Sequence, residues 1–434
     1  LDIGWKWQTK HSRKKFARTT ANVLRQMEFY PDFRYMASQP QLYQYLGENY
    51  PNLFNKIKEK IKSGHWEATG GMWCESDCNL PGGESLVRQF LYGKRYFHKE
   101  FGVDTKVVWL PDVFGFCYSL PQISKKAGME YFSTTKISWS QFTDFPYDTF
   151  WWQGLDGTRI LAHFVTTPDR RGWQDYAVDL NPANIQWCWD NYQQKELNEE
   201  ILLSFGWGDG GGGPTPEMQE NSKRMSRFPH LPRHRLDFVE TFFADLNKRV
   251  TNLPVWNDEL YLEYHRGCYT SQAKIKRNNR KAEVLLHNAE FLAALSFLKT
   301  GHYPHRELNK AWELLLLNQF HDILPGSSIP EVYEDSKREF EIIKNNSQMT
   351  INQSLNQLVE NDSCRDSFTI INTLGYERDD LVELSVEKVS ACFEIHDQKG
   401  NRLPYQKLSN SNVLVDVGKV PSYGWKTLQI VKTD

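Results

Sequence analysis

Over roughly the first 250 residues, short apolar runs alternate with helical patterns, which commits this part of the chain to an α/β architecture. The run KVVWL at 106–110 reads as a buried strand that stops at Pro111-Asp112. ILLSF at 201–205 reads as a second strand, running into Gly206-Trp207-Gly208-Asp209 and four further glycines. Thr215-Pro216 then has the form of a helix N-cap with proline at the first helical position. Residues 51–62 and 83–97 carry the spacing of amphipathic helices.

From about residue 256 the pattern changes to long helical stretches at 278–298 and 307–322 with little β-branching. Ser328-Ile329-Pro330-Glu331 has the S-x-x-E form of a capping box opening a third helix, and three such helices suggest a bundle. After about 366 the runs FTIIN, LVELSV and VLVDVG are strand-like, with Gly and Asn turns. The expected division is therefore 1–255, 256–365 and 366–434. The chain opens directly on a motif at Leu1 and stops without a closing element, so both ends are expected to be cropped.

Several function classes are disfavoured by charge and composition. Lys and Arg number 52 against 54 Asp and Glu, so there is no basic field for a nucleic-acid backbone. No run of 18 apolar residues exists to cross a membrane as a helix. The seven cysteines (74, 78, 117, 188, 268, 364 and 392) are odd in number and scattered, which fits a reducing, cytoplasmic setting better than a disulfide framework. Cys74 and Cys78 lie four apart, but no second pair follows at zinc-finger spacing.

A carboxylate at the carboxyl end of a core strand, as Asp112 is, stands where α/β domains gather their active sites, although it could equally cap a helix. Asp209 lies in a loop that formally matches G-x-G-x-x-G, with Glu240 ending a later strand-like run as in a dinucleotide fold. Against that, a carboxylate inside the loop would repel a pyrophosphate, and Trp207 is bulky where the backbone must come close. A flexible glycine mount presenting one carboxylate is the better reading. His321-Asp322 ends an apolar helix, where a histidine often serves only as a helix C-terminal charge. Asp2 taken alone would be a solvated terminal residue. Together, two carboxylates meet the minimum for glycoside hydrolysis, and two oxygen ligands with one imidazole suit a divalent metal.

Longer motifs sharpen this reading. LDIGWKW at the start, GGMWCESDCNLPGGESLVRQ at 70–89, WLPDVFGFCYSLPQI at 109–123 and FGWGDGGGGPT at 205–215 run collinearly with HRGCYTSQAKIKRNNRKAE at 265–283 and LLLLNQFHDILPGSS at 314–328. This set resembles glycoside hydrolase family 38, the α-mannosidases, and more closely its cytosolic and vacuolar branch with bacterial relatives. The resemblance implies a seven-stranded α/β barrel, then a three-helix bundle, then the start of a β-sandwich domain. It implies a retaining, exo-acting α-mannosidase with Zn2+, or another divalent cation such as Co2+, held by Asp2, Asp112 and His321. Asp112 resembles the family's nucleophile as well as a ligand, and Asp209 its general acid/base. Trp5, Lys136, Tyr269 and Asp322 fall where relatives contact the sugar. The family's opening motif is His-x-Asp-x-x-Trp, whose histidine would fall immediately before Leu1. The implied partners are mannose-containing oligosaccharides and further copies of the chain in a homo-oligomer.

Two rival functions stay open. A metal-dependent polysaccharide deacetylase would use Asp and His ligands without a second carboxylate at glycosidase distance. A catalytically decayed mannoside-binding module would bind without turnover.

Overall fold

The computed structural model describes residues 1–140, 142–168, 174–358, 367–386, 392–409 and 411–433. Cys364 lies outside them. The chain forms two compact units, one made of 1–283 with 309–344 and the other of 284–308 with 345–434.

The first unit has a mixed α/β order: α1 (Thr9–Phe29), β1 (Tyr35–Ala37), α2 (Pro40–Asn49), α3 (Pro51–Lys62), β2 (Trp66–Ala68), α4 (Gly83–Phe101), β3 (Val107–Trp109), α5 (Leu120–Lys126), β4 (Tyr131–Thr134), β5 (Thr149–Gln153) and β6 (Arg159–Phe164). A short antiparallel pair follows, β7 (Thr167–Pro168) with β8 (Gln174–Asp175), then α6 (Pro182–Asn191), α7 (Pro216–Met225), α8 (Val239–Arg249) and β9 (Val255–Trp256). β3, β4 and β6 run parallel, and the sheet order is β3-β4-β6-β5-β9 with β5 antiparallel to β6.

The two-residue alternation of a strand explains why these runs are apolar throughout. Val108, Phe132 and Ala162 point into one core with Phe116, Phe150 and Trp152. Val107, Trp109 and Leu161 face the other way, against Phe242, Phe243 and Leu246 of α8. Each strand is thus buried on both sides.

The ladders do not by themselves close the expected ring of seven strands among the described residues. Five strands make one sheet, β1 and β2 make a separate parallel pair, and no ladder joins them among the described residues. The run 201–205 is not a strand: Phe205 makes one isolated bridge to Val178, and the Leu202 N–H donates to His163 Nε2 at 3.2 Å. Glu240 lies in a helix rather than at a strand end. The Glu67 carboxylate of β2, distant in sequence, accepts the N–H groups of Val239 and Glu240, both at 2.9 Å, and starts α8 there. Thr215 does cap α7, its side chain accepting from the Met218 N–H.

The helices α9 (Ala273–Thr300), α10 (His305–Asn318) and α11 (Pro330–Leu358) follow. α10 stops at Asn318, so His321 lies beyond the helix in a run of turns instead of at its carboxyl end. Ser328 turns its hydroxyl to the Asp322 carbonyl at 2.9 Å. In the second unit, β10 (Ser367–Ile371), β11 (Arg378–Ser385), β12 (Phe393–Asp397), β13 (Tyr405–Lys407), β14 (Asn412–Val420) and β15 (Trp425–Lys432) form two three-stranded antiparallel sheets. Ile395, Val413, Val415 and Leu428 share one apolar cluster between those sheets.

Candidate active site

The ends of two parallel strands build the first half of the site. Beyond β3, the Leu110 N–H still donates to Ser133, and the Pro111 carbonyl accepts from Thr135 and Lys136 at 3.2 and 3.1 Å. That turn closes the gap between the strand ends and sets Lys136 Nζ 2.6 Å from Asp112 Oδ1. Lys136 is only 5% exposed, with its ammonium 3.6 Å from the centre of the Trp139 ring. A buried lysine tolerates that position because a carboxylate and an aromatic face replace its water.

His321 supplies the other half. Phe320 bridges to Ser76, and the Glu75 carbonyl accepts from both the His321 backbone at 3.1 Å and its Nδ1 at 2.8 Å. A carbonyl can only accept, so Nδ1 carries the proton and Nε2 keeps a free lone pair. Nε2 is buried and has no hydrogen-bond partner among the described residues. Around it stand Asp2 Oδ1 at 3.7 Å, Asp112 Oδ2 at 3.8 Å and Asp322 Oδ2 at 3.9 Å, all beyond hydrogen-bond reach. Burial pushes the imidazole down to about 4, so the ring is neutral near pH 7. Burial first, and then the neighbouring Asp112, push Asp322 up to about 7, against the opposing hydroxyl of Ser327. Asp2 is raised by its own burial and by Asp322.

Asp2 is not a solvated terminal residue. It is 7% exposed, its carbonyl accepts from Trp7 Nε1 at 3.2 Å, and its N–H donates to the Asp209 carbonyl at 2.9 Å. Donor atoms of Asp2, His321 and Asp322 lie within 4.8 Å of one another. A neutral nitrogen of fixed tautomer that lacks a partner, facing several carboxylate oxygens, is a donor set that fits a divalent cation.

Asp209 sits in the glycine loop with a left-handed φ of 38°. It lines a cavity of about 210 Å³ together with Asp2, Asp112, Tyr176 and Trp207. The residue as a whole is exposed, yet partial desolvation of its carboxyl, and then the Asp112 charge, raise its pKa.

The other expected sugar contacts are spread out. Asp322, expected on the sugar, stands with Asp2 around His321. Trp5 is half-buried and edge-on to Trp7 at 6.0 Å, with its carbonyl accepting from the Ile329 N–H at 2.8 Å. Tyr269 closes a 3₁₀ segment, Glu263–Tyr269, and is 36% exposed. No hydrogen bond ties it to the carboxylates among the described residues.

Two participants escaped the sequence reading. Glu75 acts through its main-chain carbonyl, which no side-chain pattern could reveal. His265 lies 4.4 Å ring to ring from Phe114, and burial together with nearby Lys136 pushes it down to about 4. Its signal was available, since it opens the same HRGCY segment that supplied Tyr269.

Residues 1–259 match the profile described as "Glycosyl hydrolases family 38 N-terminal domain", and residues 263–358 that of "Alpha mannosidase middle domain". Alpha-mannosidase G of Dictyostelium discoideum is 39% identical over 358 residues, covering 82% of this chain and 32% of that protein. Alpha-mannosidase 2C1 of Homo sapiens is 37% identical over 386 residues, covering 88% and 36% respectively. The alpha-mannosidase of Saccharomyces cerevisiae is also 37% identical, covering 77% of this chain and 32% of its own length. The chain therefore spans about a third of the length of these curated relatives. An alpha-mannosidase from Enterococcus faecalis V583 shares the fold with a TM-score of 0.81 at 18% identity, covering all of this chain and 55% of that one. Among the described residues, no helix is long and apolar enough to cross a membrane.

Proposed function

The chain belongs to glycosyl hydrolase family 38, and on that premise we propose that it acts as a retaining, exo-acting α-mannosidase on terminal α-mannosides of oligosaccharides. The observation that carries this reading is the buried, partnerless Nε2 of His321 facing Asp2, Asp112 and Asp322, with Asp209 on the wall of the same cavity as Asp112.

In the proposal Asp112 is the nucleophile, its oxygen attacking the anomeric carbon to give a mannosyl-Asp112 ester. Lys136 orients Asp112 through the 2.6 Å contact to Oδ1. Asp209 protonates the departing glycosidic oxygen and later takes a proton from the water that cleaves the ester. A carboxyl whose pKa is raised by desolvation and by a neighbouring carboxylate suits the acid step. Trp5 and Tyr269 offer ring faces to the sugar, and Asp322 accepts from its hydroxyls. A divalent cation, Zn2+ or Co2+, would be held by Asp2, Asp112 and His321 with Asp322 beside it, supplying positive charge to the sugar hydroxyls when bound.

Further parts of the proposal are a closed seven-stranded barrel, domain limits at 255 and 365, a cytoplasmic setting and a homo-oligomer.

Isomeric mannobioses, offered with and without chelator while proton NMR follows the first-formed anomer, test the reaction. Release of α-mannose first, abolished by chelation, supports the proposal. β-Mannose first contradicts retention. Acetate from acetylated saccharides with no mannose released would instead support the deacetylase.

A further inference from the structure

A loop of glycines should be the least ordered element near a reacting centre, because each glycine has many conformations to lose. Here six consecutive carbonyls of that loop are all taken. Asp209 accepts from the Asp2 N–H at 2.9 Å, and Gly213 from the Trp207 N–H at 3.1 Å. The other four accept from side chains of α1. Arg18 Nη2 donates to Gly210 at 3.1 Å and Gly211 at 3.4 Å, Asn22 Nδ2 to Gly212 at 2.8 Å, and Gln26 Nε2 to Pro214 at 2.6 Å.

Residues 18, 22 and 26 are spaced by four, so they form one stripe along the helix. The neighbouring row reads the same loop by shape. A Cβ on Gly211 would come within 2.6 Å of Thr19 Oγ1, and one on Gly213 within 2.9 Å of Val23 Cγ2. Both glycines also have left-handed φ, 71° and 69°. The glycines are therefore there to let the loop lie directly on α1. α1 is itself anchored over 21 residues by buried Phe16, Val23, Leu24 and Met27.

We propose that the Arg18–Asn22–Gln26 stripe of α1 is a clamp that positions Asp209 for proton transfer to the leaving group. These three are positioning residues, since none needs to touch the sugar. The glycine mount is then rigid rather than flexible, and the left-handed Asp209 is held by fixing the carbonyls on its carboxyl-terminal side while Asp2 fixes its own. A misplacement on the order of 1 Å reduces a positioned proton transfer by roughly a hundredfold, which makes such a clamp worth having. The catalytic half of this inference rests on the acid/base reading of Asp209.

The test is the double variant Arg18→Ala/Asn22→Ala in the full-length enzyme. Both side chains are exposed, so the fold does not depend on them. The isosteric Asn22→Asp, which replaces the donated N–H by a charged oxygen facing the Gly212 carbonyl, is measured alongside. Amide hydrogen exchange is followed across 206–214, and kcat is compared between aryl mannosides with activated leaving groups and unactivated mannobioses. Expected results are exchange faster by on the order of tenfold within the loop, and a kcat on mannobiose lower by about ten- to a hundredfold. The activated substrates should stay within about twofold of the parent enzyme, and metal content should be unchanged. Unchanged exchange overturns the clamp. Faster exchange with both substrate classes falling alike, or neither falling, overturns its link to proton transfer. Asp209→Asn is run in parallel: if it shows no leaving-group dependence, the acid role of Asp209 is what fails, and exchange still judges the clamp.

Discussion

Replacing Lys136 with methionine removes a charge while keeping nearly the same length and volume. The ammonium lies 2.6 Å from Asp112 Oδ1, with side-chain exposures of 6% and 18%, so water compensates little for its loss. Removing one partner of a buried ion pair costs roughly 3–5 kcal/mol, and the partial exposure of Asp112 places this case near 3. The lost contact with the Trp139 ring adds about 1 kcal/mol. The assay is denaturant unfolding near pH 7 after exhaustive chelation, followed by tryptophan fluorescence. Lys136→Met should be less stable by about 3–4 kcal/mol, and Lys136→Arg by clearly less because the charge remains. Adding Zn2+ should return part of the loss, since a bound cation would offset the charges of Asp2, Asp112 and Asp322. A methionine variant within about 0.5 kcal/mol of the parent in chelator would refute the idea that Lys136 balances this cluster.

Two further predictions concern stability. Burial raises the Glu67 carboxyl from 4.5 to about 7, so its contribution is complete below about pH 4.5 and is lost as pH rises through 7. Glu67→Gln, which keeps one acceptor oxygen for the two N–H groups, should gain on the parent by up to ~3 kcal/mol between pH 4.5 and pH 8, and parallel pH profiles for the two proteins would contradict this. Gly213→Ala combines a left-handed φ of 69° with a Cβ 2.9 Å from Val23, whereas Gly157→Ala has a φ of 83° and open space around it. Both should lose about 1–2 kcal/mol to backbone strain, with a further ~1 kcal/mol at 213 alone, and equal melting temperatures would show that the approach to α1 is not tight.

The legibility of this chain in its sequence follows the range of each interaction. Val107–Trp109 was readable because a doubly covered strand is apolar at every position, and α3 and α4 because amphipathic spacing is local. The run 201–205 is just as apolar but forms no ladder, since pairing depends on a neighbour that the local sequence does not encode. Glu240 was misread because a carboxylate far away in sequence, Glu67, fixes where α8 begins. In the site, Asp112, Asp209 and His321 were named from strand ends and motifs. Asp2 became credible only through the family motif, and its burial depends on contacts with Trp7, Ser12 and the glycine loop. The α1 stripe was invisible because Arg18, Asn22 and Gln26 read as ordinary polar helix positions until the loop lies against them.

Asp112 is expected to become covalently mannosylated during turnover. A 5-fluoro α-mannosyl fluoride makes that ester form faster than it breaks down, and peptide sequencing by mass spectrometry then locates the sugar. One mannosyl adduct on Asp112, within the segment WLPDVFGF, is the predicted result, and Asp112→Asn should abolish it. An adduct on Asp209 or Asp322, or steady turnover with no trapped ester, would contradict the account.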